Sequence, residues 1–280
     1  MLPFLKCHGA GNDFVLIDGT KTLLPDDLSA FARVACDRRK GVGADGLLVL
    51  LDSRVADFKM RIFNADGTEP AMCGNGAYCL ASYIDERKGG FETLTLETQH
   101  RVLSFKKIAG KIALNLGAPA VLHWDLQLEG HPPCFVVNTG VPHAVVWTEE
   151  LNHSQLMTQA SALRSHPHFA PHGVNVTFAM LTSPGILAMR TYERGVEAET
   201  LACGTGAAAS AFVAQELHQR PFTVCTRTSF EKKEYAPAYS FHFPKTAEGI
   251  TEIEMVGSAH FIFEGILHKK EGKEVDFFSA

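Results

Sequence analysis

The feature of the sequence that most constrains its fold is an internal repeat. In the first half of the chain, the run Met60-Arg61-Ile62-Phe63 is followed, thirteen residues after its Met, by Cys73-Gly74-Asn75-Gly76-Ala77. In the second half, Met189-Arg190-Thr191-Tyr192 is followed, fourteen residues after its Met, by Cys203-Gly204-Thr205-Gly206-Ala207. Both copies then enter an Ala-rich stretch. The repeat predicts two similar domains, each with a strand, a polar loop, a Cys-Gly-x-Gly-Ala motif and a helix.

The remaining patterns predict an α+β fold with many strands and few helices. Alternating or short β-rich runs predict strands at Phe14–Asp18, Leu47–Leu51, Leu94–Glu97, Val102–Lys106, Ile112–Leu116, Phe135–Asn138 and Ile253–Val256. Helical patterns cover Pro25–Cys36, Gly74–Glu86 and Gly204–Leu217. Pro and Gly interrupt the strand pattern at residues 117–119. We therefore expect an N-terminal half at 1–118, completed by 264–280, and a C-terminal half at 119–263.

The composition excludes several classes of partner. With 26 basic and 31 acidic residues, and a net charge of -5, the chain has no excess of basic residues with which to bind nucleic acid or an anionic membrane. No apolar run reaches membrane-spanning length, and the first residues do not resemble a signal or transit peptide. Seven cysteines, an odd count without an export signal, favour reduced thiols and a cytoplasmic location.

The repeated motif places a cysteine immediately before a helix, and this position has chemical consequences. Free backbone N–H groups and the positive end of the helix dipole favour a thiolate there, which can act as a base. The same N–H groups, uncrowded beside glycine, can bind a carboxylate. If the two halves face each other across a cleft, one thiolate can remove a Cα proton while the opposite thiol returns one to the other face. The repeat therefore predicts inversion of an amino-acid Cα without a cofactor.

At these residues the sequence resembles the diaminopimelate epimerase family, and the resemblance runs nearly end to end. The matching segments are residues 8–14 (HGAGNDF), 41–45 (GVGAD), 61–67 (RIFNADG), 71–77 (AMCGNGA), 142–143 (PH), 175–176 (NV), 192–195 (YERG) and 202–207 (ACGTGA). The resemblance implies two pseudo-symmetric domains, each a mixed barrel-like β-sheet around a central helix, with the active site in the interdomain cleft. It also implies the conversion of LL-diaminopimelate to the meso form, with a small-molecule substrate, no metal and a homodimer among the expected assemblies.

The resemblance further assigns roles to individual residues. Cys73 and Cys203 are the implied proton carriers. The implied substrate-binding residues are Asn12, Asn64, Gly74, Asn75, His143, Asn175, Glu193, Arg194, Gly204 and Thr205. Of these, Arg194 is expected to hold the distal carboxylate through a bidentate pair. Asn64 and Asn175 could instead be turn residues, and His143 could be a structural histidine after Pro142.

Three positions depart from the family's usual residues and concern substrate choice. Gly46 replaces the usual Gln, Val141 the usual Asn before Pro-His, and Tyr78 the usual Arg. One extra residue also separates Arg194 from Cys203. Because polar selectivity depends on the presence of the pairing groups, these changes predict relaxed acceptance of other amino acids, those with a distal carboxylate first.

Other functional classes remain open from the residues alone. A thiol hydrolase or transferase would pair one of the two cysteines with His143, but would leave the second cysteine unexplained. A silent binding protein would need neither thiol. Residues 41–46 spell GxGxxG, but a helix precedes and a strand follows, which is the reverse of the dinucleotide fingerprint. The histidines at 166, 168 and 172 lie in a predicted loop rather than a metal site.

Overall fold

The computed structural model describes residues 1–70, 72–200, 203–219, 222–225 and 239–268. The expected C-terminal completion of the first half, 264–280, therefore lies partly outside the described residues. The chain forms two compact units. Unit 1 comprises Met1–Leu114 and the segment that begins at Ser258, and unit 2 is the continuous segment Asn115–Gly257. The exact division at 118/119 and 263/264 stays a prediction.

Unit 1 is a mixed sheet with two helices. Its elements are β1 (Leu2–Gly9), β2 (Asn12–Asp18), α1 (Leu28–Ala35), β3 (Gly46–Leu51), β4 (Phe58–Asn64), α2 (Gly74–Arg87), β5 (Thr93–Glu97), β6 (Val102–Ile108), β7 (Lys111–Asn115), which reaches the unit boundary, and β19 (Ala259–Leu267). From β1 to β6, consecutive pairs are antiparallel, parallel, antiparallel, parallel and antiparallel. β19 pairs antiparallel with the other edge of β1.

Unit 2 contains the same kinds of element, together with additional short strands. Its elements are β8 (Ala120–Leu126), β9 (Cys134–Asn138), β10 (Pro142–Trp147), α3 (Leu156–Arg164), a 3-10 turn (Pro167–Phe169), β11 (Asn175–Ser183), β12 (Ile186–Glu193), β13 (Ala198–Thr200), α4 (Gly204–His218), β14 (Thr223–Cys225), β15 (Tyr239–His242), β16 (Lys245–Thr246), β17 (Gly249–Ile250) and β18 (Glu254–Val256).

Strand pairing reproduces the repeat that the sequence predicts. The series β9, β10, β11, β12, β14 and β15 pairs antiparallel, parallel, antiparallel, parallel and antiparallel. This is the order of directions found from β1 to β6, and β8 pairs with β9 as β19 pairs with β1. The small strand β13, an addition to β12, precedes Cys203. The two units therefore share one topology, and the predicted α+β class with pseudo-symmetric halves is confirmed.

Each unit is organised around a helix that is buried on nearly every side. Residues Gly206–Ala214 of α4 are all buried, as are residues Gly76–Ser82 of α2. An ideal amphipathic helix would bury only one stripe, so these two helices need strands on several sides. Within unit 1, α2 contacts β1, β2, β3, β4 and β19, and within unit 2, α4 contacts β9, β10, β11, β12, β14 and β15. This is the curved sheet around a central helix that the resemblance implies.

The outer face of each sheet is covered by a second helix. In unit 1, Val15 and Ile17 of β2 pack with Phe31 of α1. In unit 2, Val176 of β11 packs with Leu163 of α3. Because these central strands are buried on both faces, their sequences are nearly continuous apolar runs rather than alternating ones. Within the described ranges, none of the helices is both long and apolar enough to cross a membrane.

Candidate active site

Both repeated cysteines occupy the N-cap position of their unit's central helix. Cys73 precedes α2 with φ -142° and ψ 117°, and Cys203 precedes α4 with φ -126° and ψ 105°. The first intrahelical bonds run from Ala77 N–H to the Cys73 carbonyl and from Ala207 N–H to the Cys203 carbonyl, both 2.9 Å. The amides before them therefore lie at the exposed end of the helix dipole, as the motif predicts.

The glycines of the motif differ in the space around them. No heavy atom lies within 4 Å of the position that a Cβ on Gly74 would take, whereas a Cβ on Gly204 would lie 3.2 Å from the Met255 methyl carbon. Gly76 and Gly206 are buried against the sheet, where a Cβ would crowd side chains of the neighbouring strands. The first glycine of each motif thus lines the surface by the cysteine, and the second permits close packing of helix on sheet.

In unit 1, the Cys73 thiol is linked to a chain of polar side chains from three loops. Its Sγ lies 3.6 Å from the Asn12 Oδ1. The Asn12 amide nitrogen donates to Asp45 Oδ2 at 2.9 Å, and Asp45 in turn accepts from Arg38 at 2.8 Å. Asn12 is thereby fixed with its carbonyl oxygen toward the thiol. The contact places Asn12 beside Cys73, and its role at the reacting end of a substrate stays a prediction.

Behind Asn12 lies a dense charge network centred on Asp13. Arg38 binds both Asp13 oxygens at 3.1 and 2.7 Å, and Lys6 binds one of them at 2.7 Å. Lys6 also donates to the Gly43 carbonyl. Burial disfavours the charged form of Asp13, but the hydrogen bonds from Arg38 and Lys6 outweigh burial and lower the pKa of Asp13 well below its usual value. These hydrogen bonds join the start of β2, which carries Asn12, to residues 41–45.

Two further predicted residues of unit 1 are Asn64 and Asn75. Asn64 ends β4, and its amide nitrogen donates to Thr68 Oγ1 at 2.9 Å across the turn that follows. This is the turn role that the residues alone allow for Asn64. At Asn75, the close neighbour is Gly9, where a Cβ would lie 2.9 Å from the Asn75 carbonyl oxygen. Gly9 therefore lets the end of β1 reach the start of α2.

In unit 2, five predicted residues form one hydrogen-bonded series. The Asn175 Oδ1 accepts from the Arg194 backbone N–H at 2.8 Å, and its Nδ2 lies 3.5 Å from His143 Nε2. The same Nε2 lies 2.9 Å from Thr205 Oγ1, which lies 3.4 Å from Cys203 Sγ. Asn175 therefore does not serve as a turn residue. The Thr205 hydroxyl lies between His143 and Cys203 and contacts both.

Burial governs the protonation of His143 and Cys203. Complete burial and, secondarily, the nearby positive charge of Arg194 lower the pKa of His143 to about 3, so the imidazole is neutral at neutral pH. Burial and then the Glu193 carboxylate raise the pKa of Cys203 to about 12, against the lowering effect of hydrogen bonds from Thr205 and the Gly206 amide. Burial of Cys203 therefore opposes the stabilisation of a thiolate that is expected from its N-cap position.

Glu193 and Arg194, which the resemblance assigns to the distal end of the substrate, lie at the end of β12. Thr200 of β13 donates to Glu193 Oε1. The Arg194 Nη1 donates to the carbonyls of His172 and Gly173, at 3.2 and 3.5 Å. In the described part of the chain, no carboxylate pairs with Arg194, so its guanidinium retains donors for an anion.

Sequence reasoning missed the supports of both cysteines. Asp45 and Arg38 hold Asn12 in unit 1. In unit 2, the Thr177 hydroxyl lies 3.1 Å from His143 Nδ1, and the Thr191 hydroxyl lies 3.1 Å from that of Thr177. Asp45 lies in the residue 41–45 segment, which matches the family, but the resemblance assigns no role to Asp45 itself. Pairing of the two polar motifs, residues 8–14 and 41–45, was the signal that could have located it.

The three departures from the family pattern are Tyr78, Gly46 and Val141, of which the last two lack a polar side chain. Tyr78 is 1% exposed, and its hydroxyl oxygen accepts from the Leu114 amide at 3.3 Å within the unit 1 core. At Gly46, a Cβ would lie 2.7 Å from the Phe63 carbonyl oxygen and 3.4 Å from the Phe14 ring. Val141 precedes β10 and offers an apolar side chain.

Two other features concern metal binding and the cysteines outside the motif. The described residues hold no group of three or more His, Cys, Asp or Glu side chains that is arranged to bind a metal ion. Outside the motif, the four cysteines with described side chains are free and buried: Cys7, Cys36, Cys79 and Cys134.

Comparisons with known proteins agree with one another. The family model for diaminopimelate epimerase matches residues 4–122 and 135–230. The diaminopimelate epimerase of Aquifex aeolicus is 35% identical over 288 residues, covering 96% of this chain and 99% of the relative. That of Desulforudis audaxviator is 40% identical over 238 residues, covering 75% and 82%.

Solved structures give the same fold at low identity. A phenazine biosynthesis PhzC/PhzF-type protein from Clostridium difficile superposes with a TM-score of 0.70 at 11% identity, over 96% of this chain and 100% of that one. A hydroxyproline epimerase from Agrobacterium vitis, with bound trans-4-hydroxy-L-proline, gives 0.61 at 16% identity, over 94% and 91%. At such identities the likeness concerns the fold alone.

Proposed function

The chain belongs to the diaminopimelate epimerase family, and from this premise we propose that it inverts a Cα of LL-diaminopimelate to give the meso form by means of two cysteines. Cys73 and Cys203 exchange the roles of base and acid between the two directions of reaction. The reaction requires no pyridoxal phosphate, and its product serves lysine and peptidoglycan-precursor synthesis.

The observation that carries this proposal is the duplicated helix start. In each unit the same Cys-Gly-x-Gly-Ala motif places one thiol at the N-cap of a buried helix, beside a glycine. Inversion needs one proton carrier for each face of the Cα, so two equivalent positions are explained, whereas a single nucleophile would need one. The two thiols titrate as a coupled pair.

The groups around the two thiols support binding of both ends of the substrate. Loss of the α-proton builds charge on the adjacent carboxylate, and amides at a helix N-terminus stabilise such charge as it grows. The open surface at Gly74 leaves room for that group. Arg194, which binds backbone carbonyls through one nitrogen only, supplies the fork for the distal carboxylate. The Glu193 carboxylate is the second largest cause, after burial, of the raised pKa of Cys203. We assign the same carboxylate to binding of the distal amino group.

Relaxed substrate choice follows from Gly46 and Val141, which lack the polar side chains usual at these positions. A polar site rejects a wrong ligand mainly because its pairing groups would be left without partners. With fewer such groups, amino acids that keep a distal carboxylate but lack the distal amino group become acceptable substrates.

A thiol hydrolase or transferase is less well supported. Such an enzyme needs a base in direct contact with the nucleophile. Here the Thr205 hydroxyl lies between Cys203 and His143, and burial holds the pKa of that histidine at about 3.

The test is incubation with LL-diaminopimelate in deuterium oxide, followed by proton NMR and chiral chromatography. We expect loss of the Cα proton signal and formation of the meso isomer without consumption of the amino acid. Consumption of substrate would indicate the hydrolase or transferase, and absence of exchange would indicate a binding protein.

Cysteine variants test the two-base mechanism. Cys73→Ala and Cys203→Ala should each abolish epimerisation, while the Ser variants retain slow, one-sided exchange because a hydroxyl is a weaker acid and base at neutral pH. Cys134→Ala is the matched control, since it removes a buried free thiol of unit 2 that lies outside the motif. Near-normal turnover in either Ala variant would refute the mechanism.

Two further predictions concern the protein in the cell and in solution. A cytoplasmic location and a homodimer remain predictions, and light scattering coupled to size exclusion tests the second. A panel of L-amino acids, assayed for the same deuterium exchange, tests the relaxed specificity.

A further inference from the structure

The helix start of unit 2 lies against a group of polar side chains, here called the polar cluster, formed by His143, Thr177 and Thr191. A Cβ on Gly206 would lie 2.9 Å from Thr177 Oγ1, 3.0 Å from Thr191 Oγ1 and 3.2 Å from His143 Cε1. All three side chains are buried, with exposures of 0%, 0% and 1% in the order named. The polar cluster is therefore packed directly beneath the first turn of α4.

The equivalent place in unit 1 is apolar. Ile62 matches Thr191 in the repeated segment, and Leu48 pairs with Ile62 as Thr177 pairs with Thr191. A Cβ on Gly76 would meet the Leu48 and Ile62 methyl groups, at 2.7 and 3.3 Å. Buried hydroxyls and an imidazole cost free energy unless they are hydrogen-bonded. The polar cluster is thus a specific property of the half that carries Cys203.

The hydrogen bonds of the polar cluster fix which nitrogen of His143 carries the proton. The Arg194 backbone N–H can only donate, so the Asn175 oxygen faces it, and the Asn175 Nδ2 faces His143 Nε2. Nε2 must then be an acceptor. The proton of the neutral ring is on Nδ1, which donates to Thr177 Oγ1 at 3.1 Å.

This tautomer determines the direction of the Thr205 hydroxyl when Cys203 is a thiol. Thr205 Oγ1 lies 2.9 Å from the accepting Nε2, so its proton is donated to His143. Its oxygen then accepts the Cys203 S–H across 3.4 Å. The same Nε2 also lies 3.5 Å from Asn175 Nδ2, a second donor at longer range, and Cys203 also interacts with the Glu193 carboxylate.

We propose that the Thr205 hydroxyl is a positioning group with two settings, donating to His143 while Cys203 is a thiol and to the sulfur once Cys203 is a thiolate. When Cys203 gives its proton to the Cα carbanion, the S–H bond breaks and a C–H bond forms. The Thr205 hydroxyl then rotates toward the sulfur without losing its own proton. Asn175 Nδ2, 3.5 Å from Nε2, replaces it as the donor to His143. His143 keeps one proton on Nδ1 throughout and is not a base.

The proposal deepens the proposed function, because it describes how one of its two proton carriers changes state. Thr205 is the side chain that differs between the two motifs, where unit 1 has Asn75. The charged groups near this path are Glu193, which disfavours the thiolate of Cys203, and Arg194, which disfavours protonation of His143. Both remain in place in the variants below.

The test measures the reactivity of Cys203 toward iodoacetamide between pH 7 and 10, by peptide mapping, in a Cys73→Ser background that removes coupling to the other thiol. Thr205→Val should move the alkylation profile to higher pH and slow the reaction about 10- to 100-fold below the pKa, the effect of one charge-assisted hydrogen bond. Thr205→Ser, which keeps the hydroxyl, should restore the profile. Thr182→Val is the control for the same change elsewhere in unit 2, where the hydroxyl donates to the Ile186 carbonyl.

The second measurement needs no substitution at Thr205. In the native protein, nitrogen-15 NMR of His143 should show a proton on Nδ1, none on Nε2, and no titration between pH 5 and 9. A proton on Nε2, an unshifted profile in Thr205→Val, or no rescue by Thr205→Ser would each overturn the proposal. None of these readouts depends on turnover, so failure of the epimerase assay would be distinguishable from failure here.

Discussion

The second glycine of the unit 2 motif, Gly206, can be tested against the first glycine of the unit 1 motif, Gly74. A methyl group on Gly206 would lie 2.9 and 3.0 Å from two buried hydroxyl oxygens of neighbouring strands. A methyl group on Gly74 would meet no heavy atom within 4 Å. Both glycines lie in the first turn of a helix, and neither has a positive φ. The two Gly→Ala changes therefore differ mainly in packing.

The expected magnitudes follow from two opposed terms. Alanine gains about 0.5–1 kcal/mol over glycine in a helix. Overpacking of a buried site costs about 1–3 kcal/mol. Gly206→Ala should thus lower the free energy of unfolding by about 1–2 kcal/mol and the midpoint of thermal unfolding by about 3–8 °C. Gly74→Ala should leave stability unchanged or raise it by up to about 1 kcal/mol.

Activity should change in the opposite order, with the larger loss in Gly74→Ala. The open surface at Gly74 is where the reacting carboxylate is proposed to approach the helix amides, so a methyl group there should lower kcat/KM at least tenfold. Thermal and urea unfolding by circular dichroism, with the deuterium-exchange assay, separate the two effects. Equal stability of the two variants would refute the packing argument, and a fully active Gly74→Ala would refute the carboxylate position.

Three further predictions concern specificity and pH. Arg194→Lys keeps the charge but loses the fork, and steady-state kinetics should show kcat/KM for LL-diaminopimelate falling about 10- to 100-fold; an unchanged value would show that Arg194 does not hold the substrate. Val141→Asn restores a polar side chain and should raise the preference for diaminopimelate over L-glutamate in the same assay, while an unchanged ratio would remove Val141 from substrate selection. Asp13→Asn leaves Lys6 without its buried partner and should lower the free energy of unfolding at pH 7 by about 3 kcal/mol in urea titrations. Because the folded-state pKa of Asp13 is lowered, its stabilisation is present above about pH 4 and is lost as pH falls below that; a gap between wild type and variant that does not narrow in acid would contradict this reasoning.

The sequence was most informative where several signals coincide. Gly74–Glu86 and Gly204–Leu217 were predicted to within one residue of α2 and α4, because a glycine motif and an Ala-rich run mark each start. The α1 helix begins later than the predicted Pro25, at Leu28, since Asp27 is its N-cap and accepts from the Ala30 amide. In contrast, α3 was missed, because its N-cap Gln155 makes no side-chain capping bond.

The sequence could indicate the candidate cysteines, but not the buried side chains that surround them. The repeat located Cys73 and Cys203 without any structure. Thr177 and Thr191 could not be found in this way, because a lone threonine in a strand resembles any other β-branched residue. Only strand register brings their hydroxyls to one face, 3.1 Å apart. Likewise, the raised pKa of Cys203 depends on burial, which a helix-start motif does not reveal.

The pairing of β19 with β1 has a consequence for synthesis on the ribosome. β19 pairs with β1 along its whole length, from Leu2 opposite Leu267 to Gly9 opposite Ala259. Unit 1 therefore cannot complete its sheet until almost the whole chain has been translated, although most of it emerges first. Unit 2, Asn115–Gly257, is one uninterrupted segment. At about 5–20 residues per second, the N-terminal portion has to wait roughly 7–30 seconds for its last strand, so the half made second can finish folding first.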